Sequence, residues 1–269
     1  RETGYAVAEI EDKLRAPFVF RQITAWQWHF QRGIPDQKNQ MKFAKAIYNK
    51  ADRVVFVSQA AAREGEALGL DKSKVRIIGI GIETNLFKPA SDKYALRQQL
   101  AIAGEKVILF IGRINFAEKG IGYLLGAMPA ITREVANANL VIIGASGEID
   151  RVKELIKELG IDSHVQLVGR KPFADLPQYI NASDVVVVPS VWVEHFGQVT
   201  IEAMSCAVPV VTSDAGGSPE INVDGVTGFV VPAADSQKLA EAILKILRDE
   251  DLQKRLGLAA RQRVIENYT

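Results

Sequence analysis

The sequence predicts an α/β protein built on a doubly wound parallel sheet, and three observations carry that expectation. Short, apolar, β-branched runs of buried-strand type alternate with amphipathic stretches through the second half of the chain, which is the pattern of βαβ units. Gly-containing loops follow several of these runs, at Gly112, Gly144 and Gly169. The segment Val185–Glu220 shows the unit most clearly: a strand at Val185–Val188, a loop, a short helix at Gln198–Cys206 and a strand at Pro209–Thr212. Ligands of such sheets sit outside the carboxyl ends of the strands, so the chemistry is expected in the loops that leave those ends.

In chain order, Tyr5–Leu14 reads as a helix and Phe18–Ile23 as a strand, followed by a loop holding Trp26, Trp28, His29 and Pro35. Asn39–Lys50 reads as a helix with Met41, Phe43, Ala44, Ile47 and Tyr48 as its apolar residues. Val54–Val57 is a buried strand; Ser58 is placed to cap the helix Gln59–Leu68, and Gly69 to end it. Val75–Ile78 is the third strand. Three strand signals fall short of the five or more usual in a doubly wound domain, so residues 1–88 are expected to form a partial first domain, open to association through its uncovered edge. Residues 89–103 read as a linker with one helix at Lys93–Leu100. Residues 104–269 form the second domain. Its strands are Val107–Ile111, Leu140–Ile143, Val165–Val168, Val185–Val188, Pro209–Thr212 and the extended piece Thr227–Val231. Its helices are Gly120–Val135, Ile149–Leu159, Leu176–Asn181, Gln198–Cys206, Ser236–Leu247 and Leu252–Asn267.

Composition sets the class. The chain has 269 residues, 48% hydrophobic and 24% charged, with a net charge of +1, as in a globular protein of one or two domains. That charge gives no global case for a nucleic-acid partner. Cys206 is the sole cysteine, so no internal disulfide forms, and it reads as a buried thiol. No apolar run has the length of a membrane span and no signal peptide is visible, so a cytoplasmic location is expected. Lys38, Lys42, Lys45 and Lys50 on one helix suit either a peripheral contact with an anionic membrane or, more simply, a solvated helix face. His29, His164, His195 and Cys206 make no zinc-type cluster. Neither a P-loop nor a G-x-G-x-x-G is present. Asp249-Glu250-Asp251 spells D-x-D but joins two amphipathic helices, where it reads as a junction and cap.

The loop after Val188 carries Glu194, His195, Phe196 and Gly197, and a helix begins at Gln198. The first N–H groups of a helix favour an anion such as phosphate at the loop mouth, and Gly197 lets the backbone come close to a ligand. Glu194 precedes that helix and Glu202 lies about a turn inside it. Two carboxylates flanking an anion site make sense if each accepts hydrogen bonds from hydroxyls, a sugar on one side and a ribose on the other. After the first strand of the second domain, Arg113 and Lys119 reach the same edge, where two cations would neutralise a diphosphate.

Glu194 and Glu202 seven residues apart, with His195-Phe196-Gly197 between them, resemble the E-x7-E signature of retaining GT-B glycosyltransferases of family 4. The usual form is E-G-F-G, and this chain has E-H-F-G. The stretches EAM-x-C-A-x-P-V-V and D-x-G-G-x-P-E also match, as do Gly112, Arg113, Lys119 and Gly120 to the family's G-R and E-K-G. The resemblance implies two Rossmann-like domains, a nucleoside diphosphate sugar as donor, no cofactor and no metal. It implies that Arg113, Lys119 and Glu194 act in catalysis. Gly112, Gly144, Arg170, Lys171, His195, Phe196, Gly197, Gln198, Val199, Thr200 and Glu202 are implied to bind the donor, with Arg170 and Lys171 near the base. The acceptor, a glycan, lipid or small molecule, is not specified. Many relatives carry a histidine after the strand that aligns with Phe18–Ile23; this chain has Arg21, Gln22 and Ile23 there. A nucleotide-sugar epimerase or phosphorylase-like enzyme of the same fold, and a non-catalytic donor-binding half, are the alternatives.

Overall fold

The computed structural model describes residues 16–22, 37–145 and 147–269, with backbone alone at 37–40. The helix expected at Tyr5–Leu14 and the loop with Trp26, Trp28, His29 and Pro35 lie outside the described residues. The chain divides into two compact units, Arg1–Ile80 and Gly81–Thr269.

In the first unit β1 (Val19–Gln22), α1 (Gln37–Lys50), β2 (Arg53–Phe56), α2 (Gln59–Ala67) and β3 (Val75–Ile77) follow one another. The strands form a parallel sheet in the order β1-β2-β3. α1 buries Ala44, Ile47 and Tyr48 and exposes Met41, Lys42 and Lys45, the one-sided burial its apolar spacing calls for. The Tyr48 hydroxyl donates to Gln22 Oε1 at 2.5 Å. Ser58 Oγ accepts from the Ala61 N–H at 3.1 Å and caps α2.

The second unit starts with α3 (Lys93–Gln99), β4 (Lys106–Ile111), α4 (Ile121–Glu134), β5 (Ala138–Ile143), α5 (Ile149–Glu158), β6 (Val165–Gly169) and α6 (Leu176–Asn181). It goes on through β7 (Val185–Val188), α7 (Gln198–Ser205), β8 (Val210–Ser213), α8 (Ser218–Ile221), β9 (Gly228–Val231), α9 (Ser236–Arg248) and α10 (Glu250–Asn267). The six strands are all parallel, in the order β6-β5-β4-β7-β8-β9. Every residue of β5, β7 and β8 is buried, because helices cover both faces of a parallel sheet. Alternation divides each strand between the faces. Ile108, Phe110, Leu140, Ile142, Val185 and Val187 join the core that holds Leu124, Met128, Leu239 and Ile243 of α4 and α9. Val107, Leu109, Val141 and Val186 are equally buried on the other face, where α7 packs against β7 and β8.

Two features depart from a plain reading of the sequence. Residues 89–103 are no loose tether: α3 is fastened to the second unit. Arg97 donates to the carbonyls of Ala182 at 2.7 Å and Glu105 at 2.5 Å and pairs with Asp184 at 2.7 Å. Asp184 also takes Lys93 Nζ and the Val107 N–H, each at 2.6 Å. Burial alone would raise its pKa, but Arg97, Lys93 and the Val107 N–H outweigh burial and hold the carboxyl below its ordinary value. The second feature is the four-residue helix α8, too short to show a period in sequence. The Asp249 junction is as expected: its side chain accepts from the Leu252 N–H at 2.8 Å and caps α10.

Candidate functional site

The strand order reverses between β4 and β7. The loops leaving these neighbours at the carboxyl edge, 112–120 and 189–197, diverge there and leave room for a ligand. They are stitched together where the first loop ends and the second begins. The Glu118 carbonyl accepts from the N–H groups of Val191 at 2.9 Å and Trp192 at 3.2 Å. Gly120 has φ +66°, and a Cβ on it would stand 1.9 Å from the Pro189 carbonyl oxygen. Only glycine lets α4 begin this close to the other loop. A cavity of about 170 Å³ opens beside this seam, lined among others by Gly112, Lys119, Ser190, Glu194, Gly197 and Gln198.

The central contact of the cavity is an ion pair across the two loops. Lys119 Nζ lies 2.5 Å from Glu194 Oε2, and Ser190 Oγ donates to the same oxygen at 3.1 Å. The Ser190 carbonyl in turn accepts from Ser213 Oγ at 2.5 Å, tying the exit of β7 to the end of β8. The loop after β8 backs Glu194 from behind. The Gly217 N–H donates to the Glu194 carbonyl at 2.6 Å, and a Cβ on Gly216, whose φ is +66°, would lie 2.4 Å from that same oxygen. Arg113 leaves the end of β4 and pairs with Glu118 at 2.6 Å.

α7 starts at the cavity wall. Gly197, with φ +89°, is its N-cap and supplies no side-chain bond to the first turn, so the helix end presents N–H groups and a positive dipole to the opening. Gln198 and Val199 line the cavity. Thr200 and Glu202 lie deeper, at 0% and 3% exposure, and neither Thr200 Oγ1 nor Glu202 Oε2 has a hydrogen-bond partner among the described residues. Burial pushes the Glu202 carboxyl up to about 7, against a smaller opposing effect of a hydrogen bond from Gln198.

The cavity therefore brings together Gly112, Lys119, Glu194, Gly197, Gln198 and Val199, with Arg113 close by at the end of β4. The remaining expected residues stand apart from its lining. Gly144 sits at the exit of β5 against the backbone of Gly112. His195 is half-buried, and Phe196 packs edge-on to Tyr268 with ring centroids 5.7 Å apart. Arg170 is exposed beyond β6, and Lys171 Nζ lies 5.7 Å from the centre of the Tyr179 ring. Sequence reasoning did not single out Ser190, Glu118, Gly216 or Gly217. Glu118 and the two glycines stood inside motifs that drew attention for other residues; Ser190 carried only its position after a strand. Among the described residues, no group of three His, Cys, Asp or Glu is placed to hold a metal ion. No described helix is long and apolar enough to cross a membrane.

Two family models match the chain: "Glycosyl transferases group 1" over residues 92–263 and "Glycosyltransferase Family 4" over residues 3–86. A GDP-mannose-dependent alpha-(1-6)-phosphatidylinositol monomannoside mannosyltransferase of Mycolicibacterium smegmatis is 30% identical over 232 residues, covering 83% of this chain. The chain spans 60% of that relative's own length. The crystal structure of Anabaena HepE in complex with UDP and glucose matches with a TM-score of 0.85 at 28% identity, covering 99% of this chain and 72% of HepE. The C-terminal domain of a group 1 glycosyl transferase, LpcC, from Francisella tularensis matches with a TM-score of 0.65 at 28% identity, covering 70% of this chain and 99% of that domain.

Proposed function

The chain belongs to the glycosyl transferases group 1 and has the GT-B type of fold, and from that premise we propose a retaining, metal-independent transfer of a sugar from a nucleoside diphosphate sugar to an acceptor hydroxyl. The observation that carries this reading is the Lys119–Glu194 pair inside a cavity that also receives the start of α7. A cation, a carboxylate and a helix N-terminus around one space suit a diphosphate joined to a sugar. The solved structure with UDP and glucose and the GDP-mannose-dependent relative support that donor class.

In this reading the diphosphate lies at the start of α7, taking N–H groups of Gly197 to Val199, because the Thr200 N–H already donates to the Gly197 carbonyl at 3.0 Å. Glu194 accepts hydrogen bonds from donor sugar hydroxyls, Glu202 from the ribose, and Arg170 and Lys171 stand toward the base. The bond between the sugar's anomeric carbon and the diphosphate oxygen breaks, and a bond to the acceptor oxygen forms on the same face. The acceptor proton passes to the departing diphosphate. Negative charge grows on that leaving group, so Arg113 and Lys119 stabilise the transition state more than the bound donor. The exposed Lys42 and Lys45 of α1 fit a peripheral contact with an anionic membrane on the cytoplasmic side.

Calorimetry with UDP, GDP, UDP-glucose and GDP-mannose tests the assignment. Glu202→Ala is expected to weaken the free diphosphates by about 1.5–3 kcal/mol, the cost of a hydrogen bond to a charged group. Glu194→Ala is expected to weaken the sugar-bearing donors more than the free diphosphates. Equal and negligible effects of the two changes would overturn the reading.

A further inference from the structure

Both cations of the proposed donor site are paired with carboxylates: Lys119 with Glu194 and Arg113 with Glu118. These four groups sum to no net charge, so the attraction they offer a diphosphate depends on where the cations point. The two members of the Arg113–Glu118 pair differ in freedom. The Glu118 side chain is 6% exposed and that of Arg113 is 52% exposed. The backbone of Glu118 is held on both sides, its N–H by Asn115 Oδ1 at 2.8 Å and its carbonyl by Val191 and Trp192. The carboxylate is therefore the fixed post and the guanidinium the mobile arm. One bond through Nη2 restrains the guanidinium at that end while its other N–H groups can address a second anion.

We propose that Glu118 is a positioning residue for the transfer, orienting the Arg113 guanidinium toward the donor diphosphate. This rests on the donor-site reading given above. Without the carboxylate post, Arg113 samples its rotamers and must be ordered again each time a diphosphate binds. Glu118 also fixes, through its carbonyl, the separation of the two loops that carry Arg113, Lys119 and Glu194.

The test is a double-mutant cycle on the 269-residue chain: Glu118→Ala, Arg113→Ala and both together, with UDP, GDP, UMP and GMP binding measured by calorimetry. Glu118→Ala is expected to weaken UDP or GDP binding about three- to tenfold, the range for re-ordering one long side chain, and to leave UMP or GMP binding unchanged. In the Arg113→Ala background its effect is expected to vanish, because a positioning residue acts only through the group that it positions. Glu118→Gln, which keeps the size and an acceptor oxygen, is expected to restore most of the lost affinity and serves where the alanine variant does not fold. A Glu118→Ala loss that is equal for mono- and diphosphates, or that persists without Arg113, would overturn the proposal and leave the donor site standing. Absence of binding by every nucleotide would overturn the donor site itself, and the proposal with it.

Discussion

At the scale of single residues, Glu202 carries an unusual load. It is a carboxylate at 3% exposure with one oxygen that has no partner among the described residues, and burial lifts its pKa to about 7. Such a group destabilises the fold only when ionised. Its ordinary value is 4.5, so the protein carries no penalty from it below pH 4.5, loses stability as pH rises toward about 7, and carries the full penalty above. That displacement corresponds to about 3 kcal/mol. Glu202→Gln is therefore expected to be more stable than the parent at pH 8 and equal to it near pH 4.5, measured as urea midpoints across that range. Parallel curves for the two proteins would refute the assignment. In the proposed donor site ligand binding runs the other way, since ribose hydroxyls would donate to the ionised form. UDP or GDP affinity is expected to fall as pH drops below 7 in the parent and to be weak and flat in the variant. A residue that costs stability when ionised fits the binding role proposed for it.

At the scale of elements, the two edges of the second sheet do different work. The carboxyl edge holds the candidate site; the amino edge holds the buried pair of Arg97 from α3 and Asp184 just before β7. Removing one partner of a buried pair leaves an uncompensated charge and costs about 3–5 kcal/mol. Asp184→Ala should lower the unfolding free energy by that order while leaving UDP or GDP affinity unchanged in the folded fraction. A loss of affinity without loss of stability would show that the two edges are coupled. Because the Asp184 carboxyl is held below its ordinary value, its stabilising contribution is present above the unfolded value of 3.8 and is lost as pH falls through the lower folded value. The contrast between the edges also separates what the sequence discloses from what it hides. The strands of the second domain were legible from Val185–Val188 and its neighbours because a sheet buried on both faces leaves unbroken apolar runs. Lys119 and Glu194 were legible because they sit in motifs at strand ends. The Arg97–Asp184 pair and the Gly216 backstop were not, since they join positions far apart in the chain or depend on a backbone angle. Neither leaves a local period, and α8 is barely one turn long.

At the scale of the whole molecule, Gly81–Thr269 has the marks of an autonomous folding unit. It owns a six-stranded sheet and a core with helices on both faces, and every residue of the candidate site lies within it. Its two ends are sewn together, the Ile82 N–H donating to the Tyr268 carbonyl at 2.8 Å. Near this seam, Tyr268 also meets the Phe196 ring in the loop before α7, so the chain ends and the candidate site share one packed corner. At 189 residues, from 81 to 269, the unit is in the size range of a domain that folds alone. The Francisella domain, solved as a C-terminal domain and covered over 99% of its length, is a precedent in the same fold. Residues 81–269 expressed alone are therefore expected to unfold cooperatively and to bind UDP or GDP within about twofold of the 1–269 chain, the scatter expected when a change does not touch the site. The measurement is calorimetric binding and thermal unfolding of the two lengths side by side. A fragment that binds more than about tenfold more weakly would show that the first unit contributes to the donor site, and one that does not fold would show that the division at Ile80 is not a folding boundary.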